Sequence, residues 1–317
     1  MNQCRICKHE AANRTFQARE MMFGFRDPFT YFECARCGCV QIQDVPANLA
    51  KYYPDNYYSF QKQGGLRRFL KRRWARYSYD GAGVLGGLMA RLMGKNEAVE
   101  SVARGRVASD AAILDVGCGC GDLLGLLHAL GFKNLVGADP FLGADLTTPE
   151  GIKIWKKDLS QMQESFGVIM LHHSFEHMTE PVTVLAHAAR LLKPGGVLII
   201  RVPVAASFAW KHYGINWVQL DPPRHIFLPS VQSMKILAER SGLRFGEMVQ
   251  ESSEFQFRGS EQYLQDIPLM DPRSYLRSFR KQYFPDKTLR AYRAQARELN
   301  RKGEGDSACF YLHKATQ

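Results

Sequence analysis

No run in the 317 residues reaches the roughly 18 consecutive apolar positions that a membrane-spanning helix needs. Met1-Asn-Gln-Cys-Arg5 opens without the apolar core of a signal peptide, and the two absences together give the expectation of a cytoplasmic protein. Internal repeats and low-complexity tracts are also missing, so the chain reads as globular, long enough for one large core or two smaller ones. Acid is in short supply: 31 Asp and Glu face 42 Lys and Arg, a net charge of +11. That surplus favours polyanions, anionic substrates or an anionic membrane surface, and it bears on association rather than on fold.

Cysteine, by contrast, is plentiful. Four of the eight stand as Cys4-Arg-Ile-Cys7 and Cys34-Ala-Arg-Cys37-Gly. In a reducing compartment this spacing suits one tetrahedral zinc held by four thiolates rather than disulfides. Cys39 and His9 are further donors nearby, so either is able to replace one thiolate. Four protein ligands close the coordination shell, which makes the expected role structural. Between the knuckles, Phe23-Gly-Phe25 and Thr30-Tyr-Phe32 are rich in β-formers and are expected to be short strands. Tyr52-Tyr-Pro-Asp-Asn-Tyr-Tyr-Ser-Phe60 follows. Its rings either pack this small zinc-binding domain, residues 1–60, onto the rest of the chain or put a phenol over an active site.

Residues 61–95 read as a connecting segment. Leu66, Phe69, Leu70, Arg73, Trp74 and Tyr77 fall near one face of a helix, with Arg67, Arg68, Lys71 and Arg72 elsewhere around it. This basic amphipathic pattern suits a plain surface helix, a peripheral contact with a membrane or anionic ligand through 66–77, or nucleic acid. Gly81 to Met93 is apolar but too short to span a bilayer, and reads as a cover. From Asn96 to the end, helix and strand patterns alternate. A helix to Ser109 precedes strands at Ile113–Val116, Asn134–Ala138, Ile152–Trp155, Gly167–Leu171 and Val197–Val202, with helices from Asp122, Glu180 and Ser230 between or after them. A strand within Arg244–Phe257, a basic helical insertion over 259–305 and a last strand at Ser307–His313 complete the domain. Such alternation predicts a parallel sheet with helices on both faces and ligands at the carboxyl ends of its strands.

The densest signal is Ile113-Leu-Asp-Val-Gly-Cys-Gly-Cys-Gly121. A buried strand runs into glycines that turn the backbone tightly, and the free N–H groups of the following helix start can hold an anionic group. A dinucleotide fingerprint would put its third glycine at 122, which is Asp. Asp139, about 20 residues on, ends the next strand where a carboxylate can take both ribose hydroxyls. Asp158 ends the third strand at a place suited to an adenine amino group, although a strand-end Asp also serves as a helix cap.

Asp115-Val-Gly-Cys-Gly-Cys-Gly121, Asp139, Asp158, Ser174-Phe-Glu-His-Met178 and Leu191-Leu-Lys-Pro-Gly-Gly196 together resemble a class I S-adenosylmethionine-dependent methyltransferase, over roughly 107–249. The resemblance implies an α/β fold with a Rossmann-like, seven-stranded sheet whose last strand runs antiparallel, here in a methyltransferase domain of residues 96–317. It implies that Asp115, Gly117, Gly119 and Gly121 hold the methionine end of S-adenosylmethionine, Asp139 the ribose and Asp158 the adenine, with Cys118, Pro140, Leu159 and His172 lining the same site. S-adenosylhomocysteine is then the product. Cys4, Cys7, Cys34, Cys37 and Tyr57-Tyr58-Ser59 are similar to the zinc-binding domain that precedes the catalytic domain of bacterial sugar C-methyltransferases. By that likeness His225, in Asp221-Pro-Pro-Arg-His225, and His177, beside Glu176, are the base candidates, with Tyr57 or Tyr58 as helper. A hydrogen-bonded structural role stays open for each histidine.

The acceptor so implied is a small molecule or glycan: a sugar hydroxyl or carbon on a nucleotide- or lipid-linked carrier, whose phosphates would suit the basic insertion. Ubiquinone-type methyltransferases also carry the Glu-His pair after the fourth strand, which keeps a quinone or other lipid acceptor open. RNA methylation would draw on the charge and the knuckles. However, the place where exocyclic-amine enzymes carry Asp/Asn-Pro-Pro-aromatic reads His172-His-Ser-Phe175, and no cysteine stands where a pyrimidine-C5 enzyme needs one. Nucleic acid is therefore not expected as a partner. The remaining class is a non-catalytic adenosylmethionine-binding scaffold.

Overall fold

The computed structural model describes residues 3–53, 65–277 and 284–316. After the first Cys-x-x-Cys knuckle, β1 (Arg14–Arg19), β2 (Pro28–Glu33) and β3 (Val40–Ile42) form an antiparallel meander with Arg14 opposite Glu33 and Tyr31 opposite Ile42. Phe23-Gly-Phe25, expected as a strand, is a loop. Gly24 adopts φ 86°, and the backbone N–H groups of Phe23, Gly24 and Phe25 all donate to the buried Glu20 carboxylate at 2.9–3.0 Å. Those donors are satisfied by a side chain, so the segment has no need of a partner strand.

Helices α1 (Gly65–Asp80) and α2 (Val84–Met93) form a hairpin, and α3 (Glu97–Arg104) follows, with the Asn96 side chain accepting from Val99 N–H at 3.2 Å as its cap. The hairpin is tight: a Cβ on Gly86 would collide with the Arg73 carbonyl oxygen. The apolar stripe expected on α1 faces inward only in part. Ala75 and Ser78 are buried and the Tyr79 ring packs edge-on against Phe132, while Phe69 and Arg73 are exposed, so the inward face of α1 is rotated away from the expected stripe.

The remainder alternates. Strands β4 (Ile113–Val116), β5 (Leu135–Ala138), β6 (Leu146–Thr147), β7 (Lys153–Trp155), β8 (Phe166–His172) and β9 (Leu192–Pro203) are accompanied by α4 (Asp122–Ala129) and α5 (Pro181–Leu191). Then come α6 (Phe208–Tyr213), β10 (Phe227–Leu228), α7 (Val231–Arg240), β11 (Arg244–Gln250), α8 (Phe255–Leu264), α9 (Asp286–Lys302) and β12 (Ser307–His313). The large sheet has the order β11-β12-β9-β8-β4-β5-β7-β6. Its centre is parallel, and β12 lies antiparallel to both β9 and β11. This is the Rossmann-like sheet with a reversed last strand. The eighth strand, β6, is a two-residue edge pair on β7, too short to leave a period in the sequence. Alternate residues of the central strands supply two cores, Leu114, Ile169, Leu198 and Phe310 on one face and Ile113, Val168, Ile199 and Tyr311 on the other. Among the described residues, no helix is long and apolar enough to cross a membrane.

A second sheet, β1-β2-β3-β10, joins the N-terminal strands to the segment that follows β9: Phe227 pairs with Gln41 and Leu228 with Val40. The loop just before β10 is pinned by charge. The Arg224 guanidinium, fully buried, donates to Glu20 at 3.0 Å, to Asp221 and to the Tyr52 carbonyl at 3.2 Å, and Tyr31 Oη donates to the His225 carbonyl at 2.8 Å. Arg224→Ala would leave the Glu20 carboxylate buried without its cation. The expected cost is about 3–5 kcal/mol in a urea unfolding curve; a loss below about 1 kcal/mol would show that the pair does not hold the two sheets together.

Candidate active site

At the carboxyl end of β4 the chain turns through Gly117, Gly119 and Gly121, with φ of 72°, 53° and 80°. This is the left-handed region that glycine enters without strain. Packing is a second reason for glycine at two of them. A Cβ on Gly117 would lie 2.5 Å from the Ser174 Cβ, and one on Gly121 would collide with Ile154. The turn therefore lies flush against β7 and the loop after β8. Asp139 ties it to the end of β5, its Oδ2 accepting from Gly119 N–H and its Oδ1 from Phe141 N–H, both at 2.9 Å. Asp115 lies beneath, fully buried. Burial first, and the Asp139 charge second, push its carboxyl from 3.8 up to about 8. Two converging buried acids beside a glycine turn fit a ligand that carries positive charge, and S-adenosylmethionine brings both an ammonium and a sulfonium.

The other sequence-derived cofactor residues spread around this centre. Asp158 is exposed and caps the short helical turn Leu159–Gln161, its carboxylate accepting from Ser160 N–H at 2.8 Å. Leu159 is buried and Pro140 exposed, while the Cys118 sulfur packs against Gly137. His172 ends β8 with neither ring nitrogen hydrogen-bonded among the described residues. Burial, Arg201 and His173 keep it neutral, well below the usual histidine range.

The loop after β8 gathers the histidines. His173 stands in the left-handed region at φ 50°, its Nδ1 3.4 Å from the fully buried Glu176 Oε1. Non-glycine residues held there mark strained, over-determined positions. His225 Nε2 lies 3.9 Å from the same oxygen, and its Nδ1–H donates to the Gln219 carbonyl at 2.7 Å. His177 Nδ1–H likewise donates to the Arg224 carbonyl at 2.9 Å, with the Tyr53 oxygen 3.1 Å away. Both tautomers are assigned from these partners. Each leaves Nε2 with a free lone pair, and the donor atoms of Glu176, His177 and His225 converge within 4.8 Å of one another. Burial, the largest influence, would raise the Glu176 carboxyl, but His173, His177 and His225 outweigh it and bring it down to about 2. Burial, then His225, lowers His177.

Tyr57 and Tyr58 lie outside the described residues. Tyr53, from the same tyrosine run, is in place: its ring stacks on Phe141 at 6.3 Å, two residues beyond Asp139, while its hydroxyl meets His177. Tyr53 and His173 are the site residues that residue spacing did not single out. The signal for Tyr53 was the density of tyrosines; for His173 it was the His172-His173 pair at the end of the fourth strand, which reads as structural or cofactor-lining, while its backbone strain is not written in the sequence.

Away from this site the four knuckle cysteines come together. Cys4 and Cys37 sulfurs lie 3.6 Å apart and those of Cys7 and Cys34 3.5 Å apart, all four within 4.8 Å. A tetrahedral zinc with Zn–S bonds of about 2.3 Å needs sulfurs roughly 3.8 Å apart. Cys39 is buried outside the cluster, and His9 is not part of it. Gln41 Nε2 donates to the Cys4 sulfur at 3.2 Å.

A methyltransferase-domain family profile matches residues 81–247, more than half of the chain. The chain therefore belongs to that family, the class I S-adenosylmethionine-dependent methyltransferases. More particularly, a ubiquinone biosynthesis O-methyltransferase from Maricaulis maris is 31% identical over 152 residues, 43% of this chain and 58% of the relative. One from Cereibacter sphaeroides is 29% identical over 133 residues, 35% of this chain and 50% of the relative. The chain thus spans about half the length of the curated relatives it matches. Among solved structures, the cyclopropane synthase MmaA2 from Mycobacterium tuberculosis aligns with a TM-score of 0.46 at 15% identity over 78% of this chain and 94% of its own. A SAM-dependent methyltransferase from Archaeoglobus fulgidus aligns at 0.41 and 17%, over 72% and 98%.

The Asp115 environment makes a prediction about the ligand-free protein. Its folded carboxyl holds a proton up to about pH 8 where the unfolded one releases it near 3.8, so this group removes stability as pH rises between those values. The full effect is bounded by ~6 kcal/mol. Asp115→Asn should abolish that slope and raise the melting temperature at pH 8 above that of the parent. Equal melting temperatures across pH 5–8 would mean that Asp115 is already compensated.

Proposed function

We propose that this protein transfers the methyl group of S-adenosylmethionine to a hydroxyl or carbon acid of a small acceptor, a sugar on a nucleotide- or lipid-linked carrier. The carrying observation is the convergence of lone-pair-bearing His177 and His225 with buried Glu176 beside the glycine turn, joined to it by the Ser174–Gly117 contact and by Tyr53 against Phe141. When bound, S-adenosylmethionine supplies an electrophilic methyl whose departing sulfur takes the electron pair of the broken C–S bond. Asp115 and the turn glycines would hold its methionine end, Asp139 its ribose and Asp158 its adenine edge. A histidine Nε2 takes the acceptor proton, Glu176 stabilises the imidazolium so formed, and Tyr53 orients His177. Positioning of acceptor and methyl within about 3 Å supplies much of the remaining acceleration.

A cleft between α2 and α3 on one side and α8 and α9 on the other favours a polar acceptor. It has two neighbouring chambers of about 470 and 510 Å³, with Met93, Lys95, Glu97, Ser253 and Glu254 lining both. Trp74, Glu97, Arg201, Arg258 and Tyr275 line the first, where Arg258 Nε and the Tyr275 hydroxyl are buried without hydrogen-bond partners among the described residues. Carboxylates, guanidinium groups and ring faces are the chemistry that recognises sugar hydroxyls and phosphate. A quinone or other lipid acceptor is the second reading, favoured by the ubiquinone O-methyltransferase relatives. We assign the four-cysteine cluster, in a unit of residues 1–60 completed by β10, to one structural zinc.

Incubation with nucleotide-sugar, glycolipid and quinol acceptors should release S-adenosylhomocysteine with one of them. His177→Ala and His225→Ala should each cut turnover by about 10²–10⁴-fold with adenosylmethionine affinity kept; turnover that survives both variants ends the base assignment. Because His177 is lowered, it stays neutral below the ordinary 6.5, and the acid limb of kcat/KM should fall below that pH. Metal analysis should find one zinc per chain, lost in Cys7→Ser along with thermal stability.

A further inference from the structure

Helix α2 presents its side chains the wrong way round for a helix packed on a core. Its glycines face the protein, Gly86 against the Arg73 backbone and Gly87 against the Tyr77 ring, while its large aliphatic residues face solvent. Val84 is 93% exposed, Leu92 64%, Met93 60% and Leu88 56%, with Leu85 and the neighbouring Phe69 of α1 also exposed. Scattered apolar residues on a surface need no explanation, but a contiguous row on one helix does. The hairpin that carries this row is strongly basic. Residues 65–95 hold eight lysines and arginines and a single acid, Asp80, so this short stretch carries most of the chain's surplus of +11. Part of that charge is drawn inward: Arg68 and Arg72 pair with Glu150, and Lys71 with Asp122. Arg67 and Arg73 of α1 and Arg91 of α2 are exposed on the hairpin, Arg73 lying 5.1 Å over the Phe69 ring.

We propose that the α1–α2 hairpin docks on an anionic lipid bilayer, the outward row Val84, Leu85, Leu88, Leu92 and Met93 entering the interface while the hairpin's arginines and lysines meet the headgroups. An apolar row on a basic hairpin is the surface such an interface selects. A second copy of the chain would set two strongly basic hairpins face to face, and nucleic acid would gain nothing from five aliphatic side chains. Arg91, Leu92 and Met93 also line the larger chamber of the cleft, so docking brings its mouth to the bilayer surface. Docking of the hairpin is the same whichever acceptor the cleft takes.

Co-sedimentation of the full chain with phosphatidylcholine vesicles, with and without about 30% phosphatidylglycerol, tests it. Binding should be at least about tenfold stronger with the anionic lipid and should weaken with salt. The double variant Leu85→Glu/Leu88→Glu should lose at least about tenfold, and Arg67→Gln and Arg73→Gln roughly fivefold each, since a basic residue near such a surface contributes about 1 kcal/mol. All four side chains are exposed, so adenosylmethionine binding and circular dichroism should match the parent. Absence of binding to anionic vesicles overturns the proposal, as does binding that the leucine variant leaves unchanged. A dimer in sedimentation velocity that the variant dissolves, without vesicle binding, would assign the row to a second copy.

Discussion

Arg224 carries its charge to a place that water does not reach, and much of the architecture follows from what must surround it. Glu20 faces it from the N-terminal loop, Asp221 from its own, and the Tyr52 carbonyl closes the ring. Glu20 in turn fixes the backbone of Phe23 to Phe25. A guanidinium buried in this way tolerates no loose arrangement, since each lost partner leaves a desolvated charge. The N-terminal sheet and the loop bearing His225 are therefore held in one relation, and with them Tyr53, which touches both His177 and Phe141.

That arrangement gives the site two unequal halves. The half around Asp115 and Asp139 is built from backbone turns and strand ends, and its geometry is set by the sheet. The other half is assembled from three separate stretches, near residues 53, 173–177 and 221–225, that meet only because the ion pair and the β3–β10 pairing bring them together.

Legibility in the sequence divides along the same line. The strand-turn-helix at Ile113–Gly121, the strand-end acids and the existence of a final strand leave local patterns of glycine, period and spacing, whereas the reversal of that strand followed only from the family resemblance. The knuckle cysteines were legible for the same reason, down to the four that cluster. What could not be read is what depends on distant pairing. Phe227 and Leu228 form a strand only because β3 offers its edge, and Phe23 to Phe25 avoid one only because Glu20 takes their N–H groups. The strain at His173 and the outward leucines of α2 likewise follow from neighbours, not from propensity.

The β3–β10 pairing also has a meaning in time. The edge of β3 waits for a strand that lies about 185 residues further along the chain. At about 5–20 residues per second, a ribosome takes roughly ten to forty seconds to supply it. Throughout that interval the N-terminal module exposes an unpaired edge, the kind of surface on which neighbouring nascent chains can pair. Its cysteines, by contrast, are all made before the wait begins, so the cluster can gather early and restrain the module until its last strand arrives.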